Sequence, residues 1–255
     1  MGNFWTFFAF PLNLLLLIIW IAGLWTLWKK CQHSAVTRFL LSAKATISSL
    51  VLLIGSCLWI ALAGDRDFVQ SVFFVLVLIY AESVVLMVVF RGWRRPGGAV
   101  RWRFLLIHLG LLIAVGAGLL GSADSYEMRV RLTAGETVRE AYLEDGSRRV
   151  LPYELQLIDY HAKVAEDGLP SYYEAKIEIA RADSREVRSD YTITVNHPCE
   201  SRWGENIYLA SVSEDYCVLQ IVREPWRHLT LTGILMLLAG AFLLFIKGPV
   251  RKYAK

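Results

Sequence analysis

The stretch FLLIHLGLLIAVGAGLLGSADSYEMRVRLTAGE, residues 104–136, decides the architecture. Phe104–Gly121 is an apolar run of 18 residues, close to the roughly 20 that a helix needs to cross a bilayer. The closing RVRLTAGE alternates apolar and polar side chains, as a half-buried strand does. A membrane helix therefore feeds directly into a sheet.

Four more segments have the length and apolarity of the first part: Phe4–Trp28, Thr46–Ala63, Phe68–Phe90 and Leu229–Ile246. Phe4–Trp28 is too long and too aromatic for a cleaved signal, and Lys29-Lys30 follows it where small residues would be needed. It is expected to be retained, with Trp5 at one end and Trp25 and Trp28 at the other as an aromatic belt. With 55% apolar residues and a mean hydropathy of +0.42, the 255-residue chain is neither a single soluble globule nor disordered.

Between the last two spans, residues 122–225 carry 20 acids against 12 bases, whereas the rest carries 15 bases against three acids. Strand patterns continue there in RRVLPYELQLIDYHAKV, YYEAKIEIA, SDYTITVNHP, NIYLASV and YCVLQIV, with turn residues between them. The expected fold is α+β: four helices in residues 1–121, a β-sandwich or barrel-like sheet in 122–225, then the last helix and a basic tail in 226–255.

Thirteen Lys and Arg side chains fall in three acid-free segments: the loop after the first span, the loop between the third and fourth, and the C-terminal tail. Basic loops stay on the cytosolic side, so the N-terminus and residues 122–225 are expected outside and the C-terminus inside. Bases lined up beside spans do not make a nucleic-acid surface, and no nucleic-acid partner is expected.

The sequence holds no phosphate-binding glycine loop, no HExxH, no GxSxG, no CxxC and no CxxCH. Cys199 and Cys217 lie in the outer region, where they are either a disulfide or two buried free thiols. Two ionisable residues stand inside spans, where such groups are costly and often functional. His108 lies near the cytosolic end of the fourth span and Glu82 within the third. A carboxylate beside an imidazole can hold one ring nitrogen and leave the other as a ligand. The alternative is structural: a helix-packing hydrogen bond or snorkelling to the headgroups for His108, and a protonated acid bonded to a neighbouring helix for Glu82. His33 reads as a loop residue, His161 as a surface strand residue, His197 as part of a turn before Pro198, and His228 as interfacial packing.

Three stretches carry a family likeness: FLLSAKATISSLVLLI, HLGLLIAVGAGLLGSADSYEMRVRLTAGE, and ITVNHPCESRWGENIYLASVSEDYCVLQIVREPWRHLTLTGILMLLAGAFLLFIKGP. In order and spacing they resemble the ResB/CcsB family of cytochrome c biogenesis proteins, in the form found in Bacteroides-like bacteria. The likeness covers most of residues 38–250 and leaves the first span as an extra helix. It implies a subunit of the bacterial cytoplasmic membrane that works with a CcsA-type partner. Together they carry haem across the membrane for attachment to apocytochrome c outside. It also implies that His108 is an axial ligand to haem iron, while Glu82 has no counterpart that carries over. This chain has no Trp-Trp-Asp cluster of the partner's kind, so it is expected to be an accessory subunit and not itself an enzyme. Arg101 and Arg103 share the membrane face of His108, where they either pair with haem propionates or only set topology. A competing reading is a membrane-anchored scaffold for a periplasmic cytochrome or reductase that binds no haem. A haem b or quinone oxidoreductase would want paired transmembrane histidines, and only one His lies well inside a span.

Overall fold

The apolar runs become helices whose ends follow local capping chemistry. The computed structural model describes residues 8–64, 66–93, 98–164, 170–181, 188–213 and 215–247. Within them the helices are α1 (Leu12–Lys30), α2 (Ala35–Leu40), α3 (Ala43–Ala63), α4 (Val72–Gly92), α5 (Trp102–Gly121) and α6 (Arg227–Lys247). Ser34, Ser42 and Ser71 precede α2, α3 and α4, and each accepts a hydrogen bond from the backbone N–H three residues on. All but α2 are long and apolar enough to cross a membrane.

The largest boundary differences from the sequence expectation are at the starts of the first and third spans. The first helix begins at Leu12, because Pro11 disfavours helix in the residue before it; Trp5 lies outside the described residues. The third span begins at Val72, because Arg66–Gln70 forms a 3₁₀ turn that ends at the Ser71 cap. The six-residue α2 was too short to read from periodicity.

The helical unit comprises residues up to Ala123 and from Trp226 onward. Its helices pack through two devices. Ala45, Val84 and Met87 bury the contacts among α1, α3 and α4. Trp20 Nε1 donates to Ser83 Oγ at 3.1 Å, and Tyr80 Oη donates to the Ala45 carbonyl at 3.2 Å. Helices α5 and α6 meet through glycine. A Cβ on Gly110 would lie 2.8 Å from the Gly233 carbonyl oxygen, one on Gly240 would lie 2.6 Å from Ile107 Cγ1, and one on Gly233 would overlap the Ala114 backbone nitrogen. Small residues let membrane helices approach this closely. Large apolar side chains on the other helix faces, such as Leu62 and Phe245, are left exposed as lipid-facing residues require.

The second unit, Asp124–Pro225, is one antiparallel sheet of eight strands. They are β1 (Tyr126–Thr133), β2 (Thr137–Leu143), β3 (Arg148–Val164), β4 (Pro170–Arg181), β5 (Arg188–Thr194), β6 (Cys199–Arg202), β7 (Glu205–Val212) and β8 (Tyr216–Arg223). Their spatial order is β5-β4-β3-β2-β1-β8-β7-β6. Strands β4 and β5 also contact β7, so the sheet curls until its two ends face each other. Met128, Val130 and Leu132 of β1, Leu151, Tyr153, Leu155 and Leu157 of β3, and Ile177, Ile193, Ile207, Leu219 and Ile221 fill the interior. Sequence reading found six strands and missed β2 and β6. In β2 the only buried side chain is Ala141, and β6 is four residues long.

Candidate functional site

The start of α5 gathers three side chains on one helical face. Residues 101, 104 and 108 fall within one stripe at 3.6 residues per turn. The Phe104 ring stacks on the His108 imidazole with centroids 4.0 Å apart, and the Arg101 guanidinium covers the same ring at 4.8 Å. Arg101 also donates from Nη1 to the Gly92 carbonyl at 3.2 Å. Gly92, the last residue of α4, makes room for the ring: a Cβ there would lie 2.7 Å from Phe104 Cζ.

His108 is half-buried. Its Nδ1 lies 2.8 Å from the Phe104 carbonyl oxygen. An acceptor there favours the tautomer with the proton on Nδ1, which donates to that oxygen. Nε2 then keeps its lone pair and has no hydrogen-bond partner among the described residues. A ring nitrogen fixed by a backbone carbonyl, with the other left as donor to a metal, is the usual arrangement of a ligating histidine. Among the described residues no group of three His, Cys, Asp or Glu side chains is placed to hold a metal ion. Iron already held by a macrocycle asks only for an axial nitrogen, and His108 fits that requirement.

The two other residues expected near this histidine are elsewhere. Glu82 is buried at the middle of α4, and its Oε2 lies 3.7 Å from the Cβ position of Gly116. Gly116 is eight residues beyond His108, about 12 Å along the axis at 1.5 Å per residue. The ring is therefore oriented by its own helix and not by Glu82. Arg103 is five residues from His108, which turns it about 140° away around α5. Sequence spacing showed that α4 and α5 run antiparallel, but it did not give the register between them.

The β-unit has its own polar cluster, which sequence reading missed. Glu205, at the start of β7, is fully buried. It accepts hydrogen bonds from Tyr153 Oη at 2.7 Å, from Ser201 Oγ at 2.8 Å, and from Arg202 Nε and Nη2 at 2.9 and 2.6 Å. Burial pushes this carboxyl up, but the bonds from Arg202, Tyr153 and Ser201 and the Arg202 charge outweigh it and hold the group below its ordinary value. Arg202 also donates from Nη2 to Tyr126 Oη at 3.0 Å. Only the placement of Arg202 two residues before Gly204 and Glu205 one residue after it hinted at this pair.

Cys199 and Cys217 are free, buried thiols, which excludes the disulfide alternative. Cys199 pairs across β7 with Ile207, and Ile207 with Ile221 of β8. Cys217 lies four residues along β8 from that level, about 13 Å at 3.3 Å per residue, and a disulfide needs Cα atoms within about 7 Å. Burial pushes both thiols up to about 11. His161 is exposed and lies 3.2 Å from Asp159. His197 closes a tight turn with Thr194.

Comparison with known proteins gives a family match and structural neighbours of low identity. The ResB-like family matches residues 95–215, which include α5 and most of the sheet. No curated protein matches. Among solved structures, cytochrome c heme lyase CcmF aligns at 14% identity with a TM-score of 0.39, over 78% of this chain and 34% of its own. The chain thus spans about a third of that protein's length.

Proposed function

We propose that this chain, ResB-like across residues 95–215, is a haem-handling accessory subunit for cytochrome c maturation. Family membership supports the coarser statement of a role in cytochrome c biogenesis. The observation that carries the finer reading is His108, with Nδ1 held on the Phe104 carbonyl and Nε2 unpartnered. Haem supplies a flat apolar ring, two propionates and an iron that accepts imidazole nitrogen.

The chain's own residues have simple roles. His108 offers Nε2 without having to reorganise, because its helix already fixes the ring. Phe104 gives the imidazole an apolar stacking face, and Gly92 leaves room for that face. Arg101 presents a guanidinium on the same stripe, suited to a carboxylate. Glu82 and Arg103 stand outside this arrangement. Thioether formation uses the thiols of apocytochrome c, so this chain positions and presents while a CcsA-type partner completes the ligation. The basic loop before α5 lies on the cytosolic side of a bacterial inner membrane and the sheet lies outside.

The test is the absorbance spectrum of the complex co-purified with a CcsA-type partner, for wild type and His108→Ala. A Soret band that weakens or shifts in the variant, and partly returns with added imidazole, is the expected result. An unchanged spectrum would sink the ligand role and leave a docking scaffold.

A further inference from the structure

The interior of the curled sheet changes chemistry at one end. Along the inward-facing positions, β1 reads Leu132, Val130, Met128 and then Tyr126. Strand β3 reads Leu155, Tyr153, Leu151 and then Arg149, and β8 reads Leu219, Ile221 and then Arg223. Strand β7 reads Leu209, Ile207 and then Glu205, which pairs with Arg223 in register. Apolar side chains thus give way to charged and phenolic ones within one residue pair.

A pocket of about 330 Å³ opens at this end, with Tyr126, Met128, Arg139, Arg149, Leu151 and Arg202 in its wall. Three guanidinium groups line it and no carboxylate does. Glu205 balances Arg202 from behind and is fully occupied by it, Tyr153 and Ser201. Arg139 uses only Nε, donated to the Leu151 carbonyl at 3.2 Å. The Arg149 guanidinium makes no hydrogen bond among the described residues and lies over the Tyr126 ring at 4.2 Å. Neighbouring guanidinium groups with open N–H forks repel one another, and an oxyanion that accepts from both relieves this.

This end of the sheet is the one that the chain joins to α5 and α6. Tyr126 comes five residues after the last residue of α5, and Arg223 four residues before the first of α6. Fully extended, those links reach at most about 18 and 14 Å. The β6–β7 turn belongs to the same end: Glu224 N–H donates to the Gly204 carbonyl, and a Cβ on Gly204 would lie 2.6 Å from Pro225 Cα. Beside it Trp203 is 69% exposed, and tryptophan is enriched at the headgroup level of membranes.

We propose that this pocket binds the phosphate of an anionic phospholipid between Arg139, Arg149 and Arg202, and so holds the β-unit on the membrane surface. The full chain in neutral detergent is titrated with phosphatidylglycerol or phosphatidylcholine, and retained lipid is counted by native mass spectrometry. Wild type is expected to keep a phosphatidylglycerol at least about tenfold more tightly than phosphatidylcholine, whose phosphate is the same but whose trimethylammonium group is repelled by the three guanidinium groups of the pocket. R139Q/R149Q should lose most of that preference. R129Q/R131Q, which removes the same charge from neighbouring exposed positions, should keep it. Equal loss in both variants would overturn the site in favour of diffuse charge attraction. Competition by inorganic phosphate at concentrations equal to the lipid would overturn the lipid assignment in favour of a free anion. Neither outcome bears on His108, because the readout contains no haem.

Discussion

Glu205 shows how one buried charge can organise one end of a sheet. Its carboxylate is removed from water, and four hydrogen bonds from Tyr153, Ser201 and Arg202 replace the lost hydration. Because its folded value lies below the ordinary carboxylate value of about 4.3, it contributes stability above that pH. The contribution fades as pH falls through the folded value. Glu205→Gln keeps the shape but leaves Arg202 without its partner, so it should cost about 3 kcal/mol at neutral pH. Thermal unfolding of the full chain in detergent at pH 7 and pH 3.5 checks this. The gap between wild type and variant should narrow at the lower pH, and an equal gap at both would remove the ion pair from the account. Alternation in NIYLASV placed the strand correctly, but Glu205 lies one residue before that run. The period of two that turns Ile207 and Leu209 inward extends to residue 205, but a carboxylate there reads as the end of the strand and not as part of its interior. His108, by contrast, was legible, because a lone imidazole in an apolar span stands out without any tertiary information. What oriented it was not legible: the Phe104 carbonyl is a backbone group, and sequence reading had offered Glu82.

At the scale of elements, the pairing of α5 with α6 rests on backbone contact. Gly233 meets the backbone of Ala114, and Gly110 meets the backbone of Gly233; neither neighbour can rotate away as a side chain could. Gly233→Leu should therefore push the helices apart and cost about 2 kcal/mol or more, as overpacked interfaces do. Gly118→Leu is the matched control, because a Cβ there meets nothing within 4 Å. A lower midpoint for the first and an unchanged one for the second is the expected result of thermal unfolding in detergent; equal effects would deny the close approach. Spans could be counted from the sequence because length and apolarity are local properties. The glycines of the last span were visible too, but which glycine meets which backbone depends on helix register, and one sequence does not record that. Strands β2 and β6 escaped for a related reason. TVREAYL buries only Ala141, and CESR is shorter than one period of reliable alternation.

For the whole molecule the decisive quantity is where the charges stand relative to the spans. Thirteen bases and no acids occupy three segments, and the acidic sheet region lies between the last two spans. Translocation of the basic segments is disfavoured, so the chain should have one orientation. Two thiols can read it. Cys31 is exposed just after α1, in the first basic loop, and Glu144→Cys places a second in the exposed β2–β3 turn. Cys199 and Cys217 are buried with thiols held near 11, so they stay silent at neutral pH. Cys57 lies within α3, away from aqueous reagent. In intact spheroplasts, a membrane-impermeant maleimide should label the turn cysteine and spare Cys31, and lysis should expose both. The reverse pattern would place the start of α5 outside. His108 sits six residues into that helix, about 9 Å from its first residue at 1.5 Å per residue. A haem ligand there can meet haem arriving from the cytosol only if the basic loop is cytosolic, so the labelling decides whether export can begin at this histidine.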